Sequence, residues 1–360
     1  MNYWFQLLDP RRSVGTTSPH QMKEGRQVLG LDLIRFVAAF MVLAFHLGLW
    51  QFGWVGVEIF FVISGFVIAN SASNTTARRF LRSRVVRLMP AVWICGTATA
   101  IVVGVAGVYH GGDLAMRYLA TLVLWPAGPW LDGAYWTLPI EVAFYSLIGI
   151  AIWKRLPLIG VVSTIAVVSA LYWTMRVGLQ LRPNLPVIGV INLIPGTAAN
   201  LTMLSMGCYF AVGALLWVMM EYGIGLWRIA LLAASLGVGA VQIVFAASIW
   251  TYAVPGSAAS HWQHIEPIFV WLIAVGAIAS SAIFNAVAWR YIGRHASAIR
   301  LIGLMTYPLY LIHDNIGLVM LRYAAPVVVM ITMIALAAVL AAFVEPPAQA
   351  WLRSRLRFLS

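Results

Sequence analysis

The sequence predicts an all-α, polytopic integral membrane protein with about ten transmembrane helices in one bundle. Three observations carry that expectation. Hydrophobic residues make up 62% of the chain and charged residues only 9%, far from the roughly 25% charged content of soluble domains. Apolar runs near the roughly 20 residues that cross a hydrocarbon core recur along almost the whole length, leaving no room for a separate soluble domain. The cations also sort by side. With the N-terminus inside, 18 of the 23 Lys and Arg fall in inner segments and four (Arg117, Arg176, Arg182 and Arg322) in outer ones, as the positive-inside rule requires.

The spans are expected at 30–50, 53–70, 90–109, 134–153, 157–175, 200–220, 228–249, 267–289, 301–321 and 324–344. Residues 1–28 form a cytoplasmic N-terminal tail, 29–353 the transmembrane domain and 354–360 a basic cytoplasmic tail. The start, "MNYWFQLLDPRR", lacks a basic leader followed by an apolar stretch and a small-residue cleavage site, so it is not read as a removed signal peptide. Cys95 and Cys208 sit in apolar segments, where free cysteine behaves as a small hydrophobe. The net charge of +12 follows the helix ends, and no groove-reading module accompanies it, so nucleic acid is not an expected partner.

The first span, "LDLIRFVAAFMVLAFHLGLW", carries Asp32, Arg35 and His46. Arg35 and His46 are three turns apart and face one side of the helix, about 16 Å apart along the axis. A charge at the bilayer centre costs at least about 2.5–3.5 kcal/mol, so such residues face a bundle interior or a wet cavity. The bland reading is that Arg35 snorkels to headgroups and His46 is a hydrogen-bonded core histidine. The second span adds Glu58; its Ser64–Gly65 pair reads as a close packing position, with no nucleophile elbow around it. The stretch "NTTARRFLRSRVVRLMP" places Arg78, Arg79, Arg82, Arg84 and Arg87 on the inner surface. That is either topology anchoring at anionic lipid or, since every cation is arginine, a bidentate phosphate site.

The fourth span brings Glu141, and the ninth ends in "YPLYLIHD", with His313 and Asp314. His46, Glu58 and Glu141 thus fall in the outer half of the membrane, with His313 and Asp314 at a similar level, where each must be paired or desolvated. A histidine beside a carboxylate is a general base for a hydroxyl, or a nucleophile that accepts an acyl group. The same cluster also reads as the proton relay of a transporter. Tryptophans of the outer loops, Trp125, Trp130, Trp250 and Trp262, suit the interfacial belt. His261, His264 and Glu266 lack a further ligand of matching spacing, so no metal is expected.

Taken in order, Arg35 and His46 in an R-x10-H pattern, "GWVGVEIFFVISGFVI", "RSRVVRLMP", "WTLPIEVAFY", "YPLYLIH" and "VEPPAQAWLR" resemble the acyltransferase family 3 membrane proteins. These are the O-acyltransferases of bacterial polysaccharides and related glycans. The resemblance implies a ten-helix domain of the bacterial inner membrane that takes an acyl group, usually acetyl, from cytoplasmic acetyl-CoA to a carbohydrate or glycolipid hydroxyl. It implies that Arg35, Arg82, Arg84 and Arg87 hold the coenzyme. It further implies that His46 reacts with Glu141 or Glu58 as its orienting partner, with Arg35 on the thioester oxygen. Val142 follows Glu141 where relatives with a fused extracytoplasmic domain carry a second glutamate, so delivery by such a domain is not expected. A proton-coupled transporter or flippase of lipid-linked sugars is the alternative.

Overall fold

The computed structural model describes residues 28–73, 75–181, 193–250 and 265–356, and every regular element among them is helical. In chain order these are α1 (Leu29–His46), α2 (Gly56–Ala72), α3 (Ala77–Val105), α4 (Gly111–Leu122), α5 (Thr137–Trp153), α6 (Leu158–Leu181), α7 (Gly207–Tyr222), α8 (Leu226–Trp250), α9 (Glu266–Ile283), α10 (Ala296–Ile312), α11 (Pro326–Val339) and α12 (Glu345–Arg355), with shorter turns between them. Most of the expected N-terminal tail, Arg182, His261, Trp262, His264 and residues 357–360 lie outside the described residues.

Among the described residues, eight stretches are long and apolar enough to cross a membrane. Seven contain α1, α2, α3, α5, α6, α8 and α9; the eighth is the run Pro326–Arg355, in which a π-helical segment, Leu340–Val344, joins α11 to α12. α7 and α10, of 16 and 17 residues, take the places of the sixth and ninth expected spans but fall short of that length. Helices suit this setting because each satisfies its own backbone where no water is available.

Two boundaries differ from the sequence expectation, for physical reasons. The third span starts at Ala77 rather than near residue 90. Thr76 caps it by accepting the Arg79 N–H at 3.3 Å, and arginine and leucine are good helix formers, so the arginine run is helix although its hydropathy is low. The outer segment 110–133, expected as a loop, holds α4, an amphipathic helix with Met116 and Leu119 exposed and Thr121 buried.

The centre of the bundle is α2 packed on α7. Small residues let membrane helices approach until their backbones touch, and dispersion contacts then hold them. A Cβ on Gly213 of α7 would lie 1.8 Å from the Val62 carbonyl oxygen of α2, and one on Gly65 of α2 would lie 2.1 Å from the Phe210 oxygen of α7. Gly65 is thus the packing position read from the sequence. Gly213→Leu is expected to destabilise the bundle by about 3 kcal/mol, the upper range for overpacking. A lower melting temperature in detergent checks this; an unchanged one would mean that the two helices separate at little cost.

Candidate active site

The inward side of α1 opens on two cavities that share Arg35, Arg87, Gly303 and Tyr307 in their walls. The wider, of about 1010 Å³, lies at the arginine-rich end of the bundle and is lined by Asp32, Asn70, Arg300, Glu345 and Gln349 among others. The narrower, deeper chamber is lined by Ser64, Thr137, Glu141, Tyr145 and Tyr310. Arg35 stands where they meet, paired with Asp32 at 3.2 Å one turn below it. That ion pair explains how α1 carries a guanidinium into the membrane: opposite charges three residues apart meet on a helix face.

Glu141 is the polar centre of the deep chamber. One carboxylate oxygen accepts the Ser64 hydroxyl at 2.5 Å, and the other accepts the Tyr145 hydroxyl at 2.9 Å, one turn along α5. The chamber therefore presents an engaged carboxylate opposite the guanidiniums of Arg35 and Arg87. Of the other coenzyme candidates, Arg84 lies over the Phe80 ring at 5.4 Å and is near enough to act electrostatically on Glu141 and Tyr145. Arg82 turns away: its Nη2 donates to the Arg353 carbonyl of α12 at 2.9 Å. It tethers two helix ends, and we set it aside as a coenzyme contact.

His46 is half-buried at the far end of α1 and lines neither cavity. Among the described residues its hydrogen-bond partners are the Val42 carbonyl, 2.9 Å from Nδ1, and Nε2 of His313, 3.2 Å from the same nitrogen. Neither Glu141 nor Glu58 orients it. Glu58 is buried with Oε2 unpartnered, and its electrostatic neighbours include Cys208 and Tyr209 of α7. The side of α2 that carries Ser64 faces the chamber, whereas Glu58 does not line it. Tyr310 separates the chamber from the histidines. Its ring lies 5.6 Å from Phe60, a chamber residue, and 5.4 Å from His313, and its hydroxyl meets Thr137 Oγ1 at 3.1 Å.

The turn that follows α10 is held by two carboxylates that the sequence reading did not assign. Asp132 accepts the N–H groups of Ala134 at 2.9 Å and Asn315 at 3.0 Å, while Asp314 accepts that of Gly133 at 3.1 Å. Asn315 also donates to the Leu131 carbonyl. Burial, then the nearby Asp314 carboxylate, push the Asp132 carboxyl well above its ordinary range. Glu345 was also missed: it is buried beside the π-helical segment, has Oε1 unpartnered and lines the wider cavity. Its signal was an acid at the end of a long apolar run, just before two prolines. Among the described residues, no group of three or more His, Cys, Asp or Glu is placed to hold a metal ion.

Residues 28–344 match the model of a family described as an acyltransferase domain. Among curated proteins, the chain is similar to an O-acetyl transferase of Shigella phage Sf6, 28% identical over 149 residues, which is 34% of this chain and 45% of that protein. It is also similar to the exopolysaccharide production protein ExoZ of Rhizobium meliloti (strain 1021), 30% identical over 105 residues, 26% of this chain and 33% of that protein. The chain thus spans less than half the length of these curated relatives. No solved structure matches it.

Proposed function

The chain belongs to the acyltransferase family whose domain its residues 28–344 match, and from that membership we propose that it moves an acyl group, acetyl in the simplest form, from cytoplasmic acyl-CoA to a hydroxyl of a cell-envelope or exported carbohydrate or glycolipid. The observation that carries this reading is the pair of cavities sharing Arg35 and Arg87, wide at the arginine-rich end and narrow at Glu141. The names of the curated relatives, an O-acetyl transferase and an exopolysaccharide production protein, support an O-acetyl product and a carbohydrate acceptor. The arginine asymmetry supports the sidedness: residues 29–353 form a domain of a bacterial inner membrane, between cytoplasmic tails at 1–28 and 354–360.

On this reading Arg300, Arg87 and Arg35 hold the phosphates of the coenzyme by charge-assisted, bidentate bonds. The pantetheine arm then runs along α1 through the chamber of Glu141 and past Tyr310 to bring the thioester to His46. His46 takes the proton of the acceptor hydroxyl, whose oxygen attacks the thioester carbonyl carbon; the carbon–sulfur bond breaks and CoA leaves as a thiolate that is then protonated. A guanidinium placed near the thioester oxygen stabilises the charge that develops there, a role that suits Arg35.

The test is free-CoA release by the purified full chain in lipid nanodiscs with acetyl-CoA and candidate glycans. Release that depends on the acceptor is expected. Absence of any acceptor-dependent release, with uptake of a lipid-linked sugar by proteoliposomes, would overturn the reading in favour of transport. Arg87→Ala is expected to weaken CoA binding about 10- to 100-fold by calorimetry, as for loss of a hydrogen bond to a charged group. Arg82→Ala should change it less than about twofold, because that side chain serves α12. Equal effects would remove the distinction between the two arginines.

A further inference from the structure

We propose that His313 is the positioning residue for His46: it accepts the Nδ1 hydrogen of His46 and so leaves His46 Nε2 as the atom that takes the proton. Its catalytic consequence rests on the acyl-transfer reading above, whereas its hydrogen-bond geometry does not.

The argument starts from which atoms can donate. A backbone carbonyl only accepts. His46 Nδ1 lies 2.9 Å from the Val42 oxygen, so that nitrogen carries the hydrogen. His313 Nδ1 lies 2.7 Å from the Tyr310 oxygen and carries a hydrogen for the same reason. In the neutral ring, His313 Nε2 is then bare and can only accept. It sits 3.2 Å from His46 Nδ1, with the rings edge to face at 4.7 Å between centroids and 74° between planes. The one hydrogen on His46 Nδ1 is shared between a carbonyl and an imidazole. His46 Nε2 makes no hydrogen bond among the described residues, so it is the lone pair open to a substrate hydroxyl.

The chain of donors has a consequence for charge. When Nε2 of His46 takes a proton, the imidazolium that forms is held by a hydrogen bond from its Nδ1, the role a carboxylate fills in serine hydrolases. Here a neutral ring fills it, which avoids burying a second charge at this depth. His313 cannot swing out to water, because it is 1% exposed. The turn just after it is clamped by Asp132 and Asp314 to residues 131–134, the stretch that leads into α5 and Glu141. One clamp thus sets the register of the histidine pair and of the deep chamber together.

Two measurements on the full chain in nanodiscs test this. In the first, nitrogen-15 histidine spectra are assigned with His46→Gln and His313→Gln variants. Both rings are expected as the Nδ1–H tautomer; a hydrogen on His313 Nε2, or a His46 ring with hydrogen on Nε2, overturns the proposal whether or not the chain transfers acyl groups. In the second, His313→Leu is expected to lower kcat about 30- to 100-fold while the KM for acetyl-CoA stays within about twofold, and His313→Gln, which keeps an acceptor oxygen, to recover part of the loss. A wild-type kcat in His313→Leu overturns the positioning role while leaving acyl transfer standing. If wild type itself transfers nothing to any acceptor, the functional reading falls and the spectra alone decide the hydrogen bond. If His313→Leu does not fold, the wild-type spectra and His313→Gln decide it.

Discussion

His46→Gln is expected to lower kcat for acyl transfer by about 10³-fold while leaving acetyl-CoA affinity within about threefold. General-base catalysis contributes on the order of 10² to 10⁴, and among the described residues no other imidazole touches this one except His313, whose bare nitrogen is turned to His46 Nδ1. The separation of binding from chemistry follows from position. His46 lies outside both cavities, so its loss leaves the guanidiniums that line them undisturbed. Single-turnover CoA release and calorimetry on the same preparation measure the two quantities. A turnover number equal to wild type would reassign His46 to the packing of α1 against the end of α10.

Glu141→Gln is expected to lower kcat about 10²-fold. The amide keeps the shape of the carboxylate and can still accept from one hydroxyl, but it loses the charge that sits across the chamber from Arg35 and Arg87. It also puts an NH2 group where one carboxylate oxygen accepted from Ser64 or Tyr145, so that hydroxyl must turn to accept and a hydrogen bond to a charged group, worth about 1.5–3 kcal/mol, is lost. Ser64→Ala, which removes one donor and no charge, should cost no more than about tenfold. Steady-state kinetics with an acceptor in excess separates the variants. Wild-type turnover in Glu141→Gln would make this carboxylate a packing partner of two hydroxyls.

The bundle was legible because hydropathy and the placement of arginine report directly on what the membrane tolerates. Arg35 was legible as an inward residue, since a charge in an apolar helix needs a partner, and Asp32 supplies it three residues away. Glu141 was legible as a polar group at depth, but its partner was not. Ser64 is 77 positions distant, and which turn of α2 faces α5 depends on the approach of α2 to α7 at Gly65 and Gly213. The meeting of His46 with His313 spans 267 positions. Depth alone put them at one level, together with two glutamates that go elsewhere. Reading an acid as the histidine's partner followed from chemistry that is sound in general; here the space beside Nδ1 is taken by a second imidazole. The arginine run misled in a different way, because hydropathy ends a span where helix propensity does not.

Tyr310, with the chamber on one side and His313 on the other, has a bearing on bioenergetics. A bilayer protein hollowed from both faces would short-circuit the ion gradient if its hollows met, and a passage wide enough for a thioester arm would let hydronium through freely. The phenol ring, packed between Phe60 and His313, fills the space between the chamber and the histidine pair. On the proposed reading, an acyl-bearing arm that reaches His46 must itself fill the gap it opens at this ring, so one aromatic layer would serve both as seal and as the passage for the acyl group.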